Sequence, residues 1–95
     1  MKKSHEMSRA DLIGRVSPLA PVLAAIACEN SFSKAAEKLG VHQSAISHRI
    51  TQLEEALGFA LFERTTRQIT LTEYGRVLCA AAIETVGVWD GAFDR

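Results

Sequence analysis

Gln43, Ser44, Ser47, His48 and Thr51 place five short or medium polar side chains at i, i+1, i+4, i+5 and i+8, the spacing of one helix face. The opposite face carries Ile46, Ile50, Leu53 and Leu57, which step by four, three and four residues as a buried stripe does. No acidic residue occurs from Gly40 to Leu53, and Glu54 and Glu55 follow only near the end of this segment. An ordinary solvated helix face carries Glu and Lys. A face of Gln, Ser, His and Thr offers neutral donors and acceptors instead. Glutamine can make a paired hydrogen bond to adenine, and Ser or His can meet several base edges or a phosphate. The chemistry these residues suit is the reading of a DNA groove.

The elements around that face must hold it outward. A short helix from Ser31 or Ser33 to Leu39 precedes it, Gly40 stands where a helix C-terminus favours glycine, and the long helix runs from Gln43 to about Leu57, where Gly58 stops it. Two helices separated by Gly40-Val41-His42 make a helix-turn-helix, whose second helix enters the major groove. Ala35, Ala36 and Leu39 allow close approach of the two helices, and Val41 is expected to plug the corner from inside. Upstream, Leu19, Leu23 and Ile26 share one stripe of a helix that Ser17 could cap with Pro18 at its first position, although Pro21 moves the start towards Ala20. Downstream, Ala60–Glu63 and Gln68–Leu71 read as two short strands around Thr65-Thr66-Arg67. Thr72 then caps a last helix from Glu73 onward, weakened towards its end by Gly87 and Gly91.

The expected architecture is mainly α: a winged helix-turn-helix of three helices plus a short two-stranded wing (16–71), a polar, frayed extension before it (1–15), and a linker or dimerisation helix after it (72–95). From Ser31 to Gly75 the sequence resembles the N-terminal DNA-binding domain of the LysR-type transcriptional regulators. The likeness rests on linked motifs in order: SF-x-x-AA, Q-x-x-x-S, LE-x-x-LG, LFER and LTE-x-G. The resemblance implies a sequence-specific regulator that binds double-stranded DNA as a homodimer through its C-terminal helix. It implies that Gln43, Ser44 and Ser47 face the groove with His48 and Arg49 beside them. Ser33 and Lys34 would touch phosphate, Arg64 would brace the strand or backbone, and Arg67 at the wing tip would enter the minor groove. Departures from the family pattern are His42 for a Ser or Thr cap, Ser44 for Pro, His48-Arg49 for Arg-Gln, and Thr66 and Gln68 for wing glycines. The family's effector-binding domain has no counterpart within the 95 residues, so no small-molecule effector site is expected here. A fragment of a longer regulator is favoured over a naturally short member.

Composition agrees with a single small domain. Hydrophobic residues make up 47% and charged residues 23%, and eleven Lys+Arg balance eleven Asp+Glu. Bulk charge therefore cannot hold nucleic acid, and any such binding depends on local placement. From Ser31 to Arg49 the bases Lys34, Lys38 and Arg49 face one acid, Glu37. The neutral total keeps one alternative in view, a winged-helix module for dimerisation or protein interaction that does not bind DNA. Leu78, Ala81, Ala82, Thr85, Val88 and Trp89 give the last helix an apolar side for a second copy, with Trp89 and Phe93 as a packing pair. Cys28 and Cys79 lack C-x-x-C spacing and read as small core hydrophobes in a reducing, cytoplasmic setting. Lys2 and Lys3 followed by an apolar run to Cys28 mimic an export signal, but Glu6, Asp11, Pro18 and Pro21 break the pattern, and no membrane association is expected. No nucleophile elbow, phosphate-cradling glycine loop or metal-spaced cluster is present, and His42 and His48 do not stack on one face. The expectation is no enzyme, no cofactor and no metal.

Overall fold

The computed structural model describes residues 7–65 and 68–95. Helices α1 (Arg9–Val16), α2 (Ala20–Glu29), α3 (Phe32–Leu39) and α4 (Gln43–Leu57) are followed by strands β1 (Phe62–Arg64) and β2 (Ile69–Leu71) and by α5 (Glu73–Phe93). The winged helix-turn-helix expected from the sequence is thus present.

Its centre is α2, packed between α5 and α3. The stripe Leu19, Leu23 and Ile26 is buried as expected, and Val22, Ala24 and Ala25 are buried too, because partners lie on more than one side of the helix. The helical run Arg9–Glu29 is long and apolar enough to cross a bilayer by length and composition, with a mean hydropathy of 1.5. Core helices share that property, and here the residues from Leu19 to Ile26, Pro21 aside, lie in the domain's own core. From α3 come Phe32, Ala35 and Ala36, and from α4 Ile46, Ile50 and Leu53, with Leu57 half-buried. Fully burying an Ile or Leu is worth roughly 1.5–3 kcal/mol, so this stripe sets the rotation of α4 and turns its polar side outward.

Three junctions use left-handed backbone to turn sharply: Asn30 (φ 53°), Gly40 (φ 73°) and Gly58 (φ 87°). Asparagine tolerates this region better than most side chains, and glycine has no Cβ to clash there.

Four expectations need correcting. Residues 9–16 are a helix rather than a frayed segment. Ser8 caps it: its Oγ accepts from the Asp11 amide at 3.1 Å, and the Asp11 carboxylate accepts from the Ser8 amide at 3.2 Å. Ser17 does not cap α2. It opens a single 3₁₀ turn (Ser17–Leu19) that joins α1 to α2, with Pro21 in the first turn of α2, where the missing amide has no partner to lose. Val41 is about half exposed and does not plug the corner; Ala36 reaches the turn instead, its carbonyl accepting the Val41 amide at 3.0 Å. Strand β1 starts two residues late, because Ala60 and Leu61 are otherwise engaged. The Ala60 carbonyl accepts the Thr72 hydroxyl, and the Leu61 carbonyl accepts the Thr72 amide. The expectations for Lys2, Lys3, Glu6, Thr66 and Arg67 lie outside the described residues.

The wing pairs antiparallel, Phe62 with Leu71, Glu63 with Thr70 and Arg64 with Ile69. At its loop end Thr65 meets Gln68, donating its amide and hydroxyl to the Gln68 carbonyl and accepting the Gln68 amide on Oγ1.

Candidate nucleic-acid interface

Burial of Ile46, Ile50 and Leu53 leaves Gln43, Ser44, His48, Arg49 and Thr51 exposed on α4, with Ser47 half-buried. His42 occupies the cap position of this helix with extended backbone, but its side chain makes no capping bond; its carbonyl accepts the Ala45 and Ile46 amides. Ser31, not Ser33, caps α3: its Oγ accepts the Lys34 amide at 3.1 Å and lies 3.1 Å from the Ser33 hydroxyl. Ser33 and Lys34 are exposed. Lys38 faces Glu29 across 3.6 Å.

Between the start of α3, the first half of α4 and the wing lies an open hollow of about 330 Å³. Ser33, Gln43, Ser47 and Arg64 all line it, together with Thr65 and Gln68. Four of the residues singled out in sequence therefore meet in one place. Ser44, His48 and Arg49 on α4 and Lys34 on α3 do not line it, and Arg67 is outside the described residues.

The wing is tied to α4 by Glu54, to which the sequence pattern assigns no role. Glu54 Oε2 accepts the amides of Leu61 (2.7 Å) and Phe62 (3.2 Å), while Oε1 lies 3.9 Å from the Arg64 guanidinium. Arg64 also sits over the Phe32 ring at 4.4 Å, and Phe32 meets Phe62 edge-on at 5.5 Å. One arginine thus touches α3, α4 and the wing at once. A carboxylate holding two amides and a guanidinium is part of the frame. Glu54 and Glu55 look alike in sequence. Their positions differ: Glu54 shares a flank with Ser47 and Gln43, whereas Glu55 points to solvent.

Helix α5 leaves this body along α2. Thr72 caps it, accepting the Gly75 amide on Oγ1 at 3.0 Å. Gly75 presses on β1's approach so closely that a Cβ there would lie 1.9 Å from the Leu61 carbonyl oxygen. Of the residues grouped as dimer-facing, Ala82 is 4% exposed and belongs to the domain's own core, and Leu78 is half-buried against it. Ala81, Thr85, Val88 and Trp89 are exposed, as are Tyr74, Val77, Ile83 and Phe93, which lie outside the expected group. Trp89 and Phe93 do not form a ring pair; Tyr74 instead stacks on Phe59 at 4.0 Å. Cys79 is buried as expected of a core hydrophobe, but Cys28 is exposed. Burial, and secondarily the neighbouring Cys28, push the Cys79 thiol up to about 11.

Residues 20–76, the stretch that builds α2 through the start of α5, match the family model described as the bacterial regulatory helix-turn-helix protein, lysR family. The chain belongs to the lysR family. It is 46% identical over 68 residues to the HTH-type transcriptional regulator PtxR of Pseudomonas aeruginosa, covering 72% of this chain and 22% of PtxR. It is 38% identical over 71 residues to the HTH-type transcriptional regulator BudR of Klebsiella aerogenes, covering 75% of this chain and 50% of BudR. The chain therefore spans about a fifth to a half of the length of these lysR-family relatives. Among solved structures it resembles the BenM DNA-binding domain in complex with catB site 1 DNA, with a TM-score of 0.73 and 34% identity over 81% of this chain and 86% of that one. It also resembles the probable transcriptional regulator PA0477 of Pseudomonas aeruginosa, with a TM-score of 0.77 and 25% identity over 88% of this chain and 28% of that one. Helix α1 precedes the lysR-family span altogether.

Proposed function

We propose that this chain is the sequence-specific DNA-binding part of a bacterial transcription regulator, and that it acts in the cytoplasm as a homodimer. The observation that carries the reading is the hollow beside α4, where Ser33, Gln43, Ser47 and Arg64 converge next to an acid-free helix face. The likeness to the BenM domain, whose structure was solved with DNA, supports the same reading. In it α4 enters the major groove. Gln43, Ser44, Ser47 and His48 reach base edges, and Arg49, Ser33 and Lys34 meet phosphates. Arg64 holds the wing, from which Arg67 reaches the minor groove, where a narrow A·T-rich stretch favours a cation. The exposed side of α5, through Ala81, Thr85, Val88 and Trp89, meets a second copy. No residue has a catalytic task in this scheme, and it needs neither cofactor nor metal.

Reading and gripping separate under mutation. Gln43→Ala is expected to cost ~1–3 kcal/mol on the preferred duplex and to relax base choice there. Lys34→Ala is expected to weaken all sequences alike and to lower the salt slope by about one unit per subunit. Salt titrations of both variants on selected and scrambled duplexes measure this. Absence of binding by the unmodified chain to any duplex at low salt would instead favour an interaction module that does not touch DNA.

A further inference from the structure

Helix α4 has a second flank. Opposite the wing-side hollow, Arg49, Gln52 and Ala56 of α4 line another depression, of about 390 Å³, whose far wall is Gly14 and Arg15 of α1. Both arginines are exposed. No acidic residue lines the depression, and neither arginine is in an ion pair among the described residues. Arg15 lies in the last turn of α1, where a cation ordinarily complements free carbonyls. Here that turn runs on into the 3₁₀ turn, and the Ile13 carbonyl already accepts the Ser17 amide. Two arginines around one solvent-open hollow, with Gln52 also lining it, make a place for an anion. Arginine's planar fork suits the oxygens of a phosphate in particular.

From this we infer that α1 extends the DNA interface: Arg15, with Arg49 and Gln52, grips a backbone phosphodiester on the side of the duplex away from the wing. The inference rests on the proposed docking of α4. An α-helix with its side chains is about 10–12 Å across and the major groove about 12 Å wide, so the two flanks of a seated helix face the two phosphate walls. Gln43 and Ser47 border the wing-side hollow, and Arg49 and Gln52 border this one. The wall near Arg49 is then within reach of the neighbouring α1. Because α1 precedes the residues matched by the family model, this contact lies outside that span.

The test is a salt titration of binding to a mixed-sequence duplex with the full chain and its Arg15→Ala and Arg15→Lys variants, with circular dichroism as a folding check. Arg15→Ala is expected to reduce the slope of log K against log salt by about 0.9 per protomer, the value for one lost phosphate contact, while Arg15→Lys retains it. A second arm titrates inorganic phosphate and follows the arginine side-chain signals by NMR. A slope unchanged in Arg15→Ala, with strong binding by the unmodified chain, overturns the α1 contact and leaves the docking of α4 intact. Saturable phosphate binding at Arg15 with that same unchanged slope assigns the hollow to a free anion and likewise overturns it. If the unmodified chain binds no duplex, the docking itself fails and the α1 contact with it.

Discussion

From Thr72 to Ala82, α5 is held by the rest of the chain through a capped first turn, the Gly75–Leu61 contact and the buried Cys79 and Ala82. From Ile83 to Phe93 Val86 alone is half-buried, while Ile83, Val88, Trp89 and Phe93 are exposed. The same helix is thus core over its first three turns and an unpartnered apolar surface afterwards. Along the stripe Gly75, Cys79, Ala82 and Val86, which steps by four, three and four, Gly75 meets Leu61, Cys79 and Ala82 join the core, Val86 is partly buried against it, and the stripe ends there. Tyr74 and Val77 expose apolar groups in the first half too, but only there do buried residues, Gly75, Cys79 and Ala82, anchor the helix. Large exposed apolar groups on a small domain are a mark of an interface. Stability should therefore depend on the first half and assembly on the second.

The largest effect expected is at Gly75. Alanine there would bring a Cβ against main-chain atoms that cannot swing aside, forcing α5 away from Leu61. A loss of ~3 kcal/mol or more is expected, at the upper end for overpacking, and should lower Tm by more than about 12 °C in a domain of this size. Thermal unfolding followed by circular dichroism measures it. A wild-type Tm would mean that the two halves are not distinguished as described.

Val88→Glu probes the other half. At 68% exposed, Val88 adds little to the folded monomer, and the substitution should change urea stability of the monomer by no more than about 0.5 kcal/mol. Dimer dissociation should worsen by about tenfold or more, equivalent to ~1.4 kcal/mol. Sedimentation across a concentration series checks this, and an unchanged dimer would move the interface off α5.

The smallest effect is pH-dependent and belongs to the held half. The folded Cys79 thiol titrates near 11, above the ordinary value of 9.0, so the unfolded chain releases this proton first. Stability tied to the neutral thiol is intact below about pH 9 and declines as pH rises towards 11. Urea unfolding across that window should show the decline in wild type and a shallower one in Cys79→Ala. Exposed Cys28 should react with a thiol reagent in the folded protein, and Cys79 only after unfolding.

Local rules made much of this fold legible. Gly40 and Gly58 mark helix ends, Thr72 marks a start, and the Ile46–Leu57 periodicity orients α4 without any tertiary information. Where a choice depends on a distant partner, local sequence does not decide it. Helix α5 is apolar on several sides, so its period alone could not say that Ala82 turns inward while Val77 and Ile83 turn out. Strand β1 was misplaced because Ala60 and Leu61 are claimed by Thr72 and Glu54, far apart in sequence. Helix α1 is different: the Ser8–Asp11 capping box is a local signal, but its mixed-charge turns hid it. Within the candidate interface the outward polar face of α4 was legible. The frame that steadies it, Glu54 with Arg64 and Phe32, was not, since nothing in the spacing tells a bracing carboxylate from a solvated one.

The Glu54 carboxylate has a consequence for how a duplex could be measured. By fastening the end of α4 to the first strand of the wing, it holds the two at a set spacing, so that in the proposed docking they act as a caliper, one jaw in the major groove and the other over the adjacent minor groove. On the proposed docking, a site whose grooves do not match that span must itself bend or narrow to fit. Sequence preference would then extend to base pairs that no side chain touches, set by the stiffness of the DNA between the jaws.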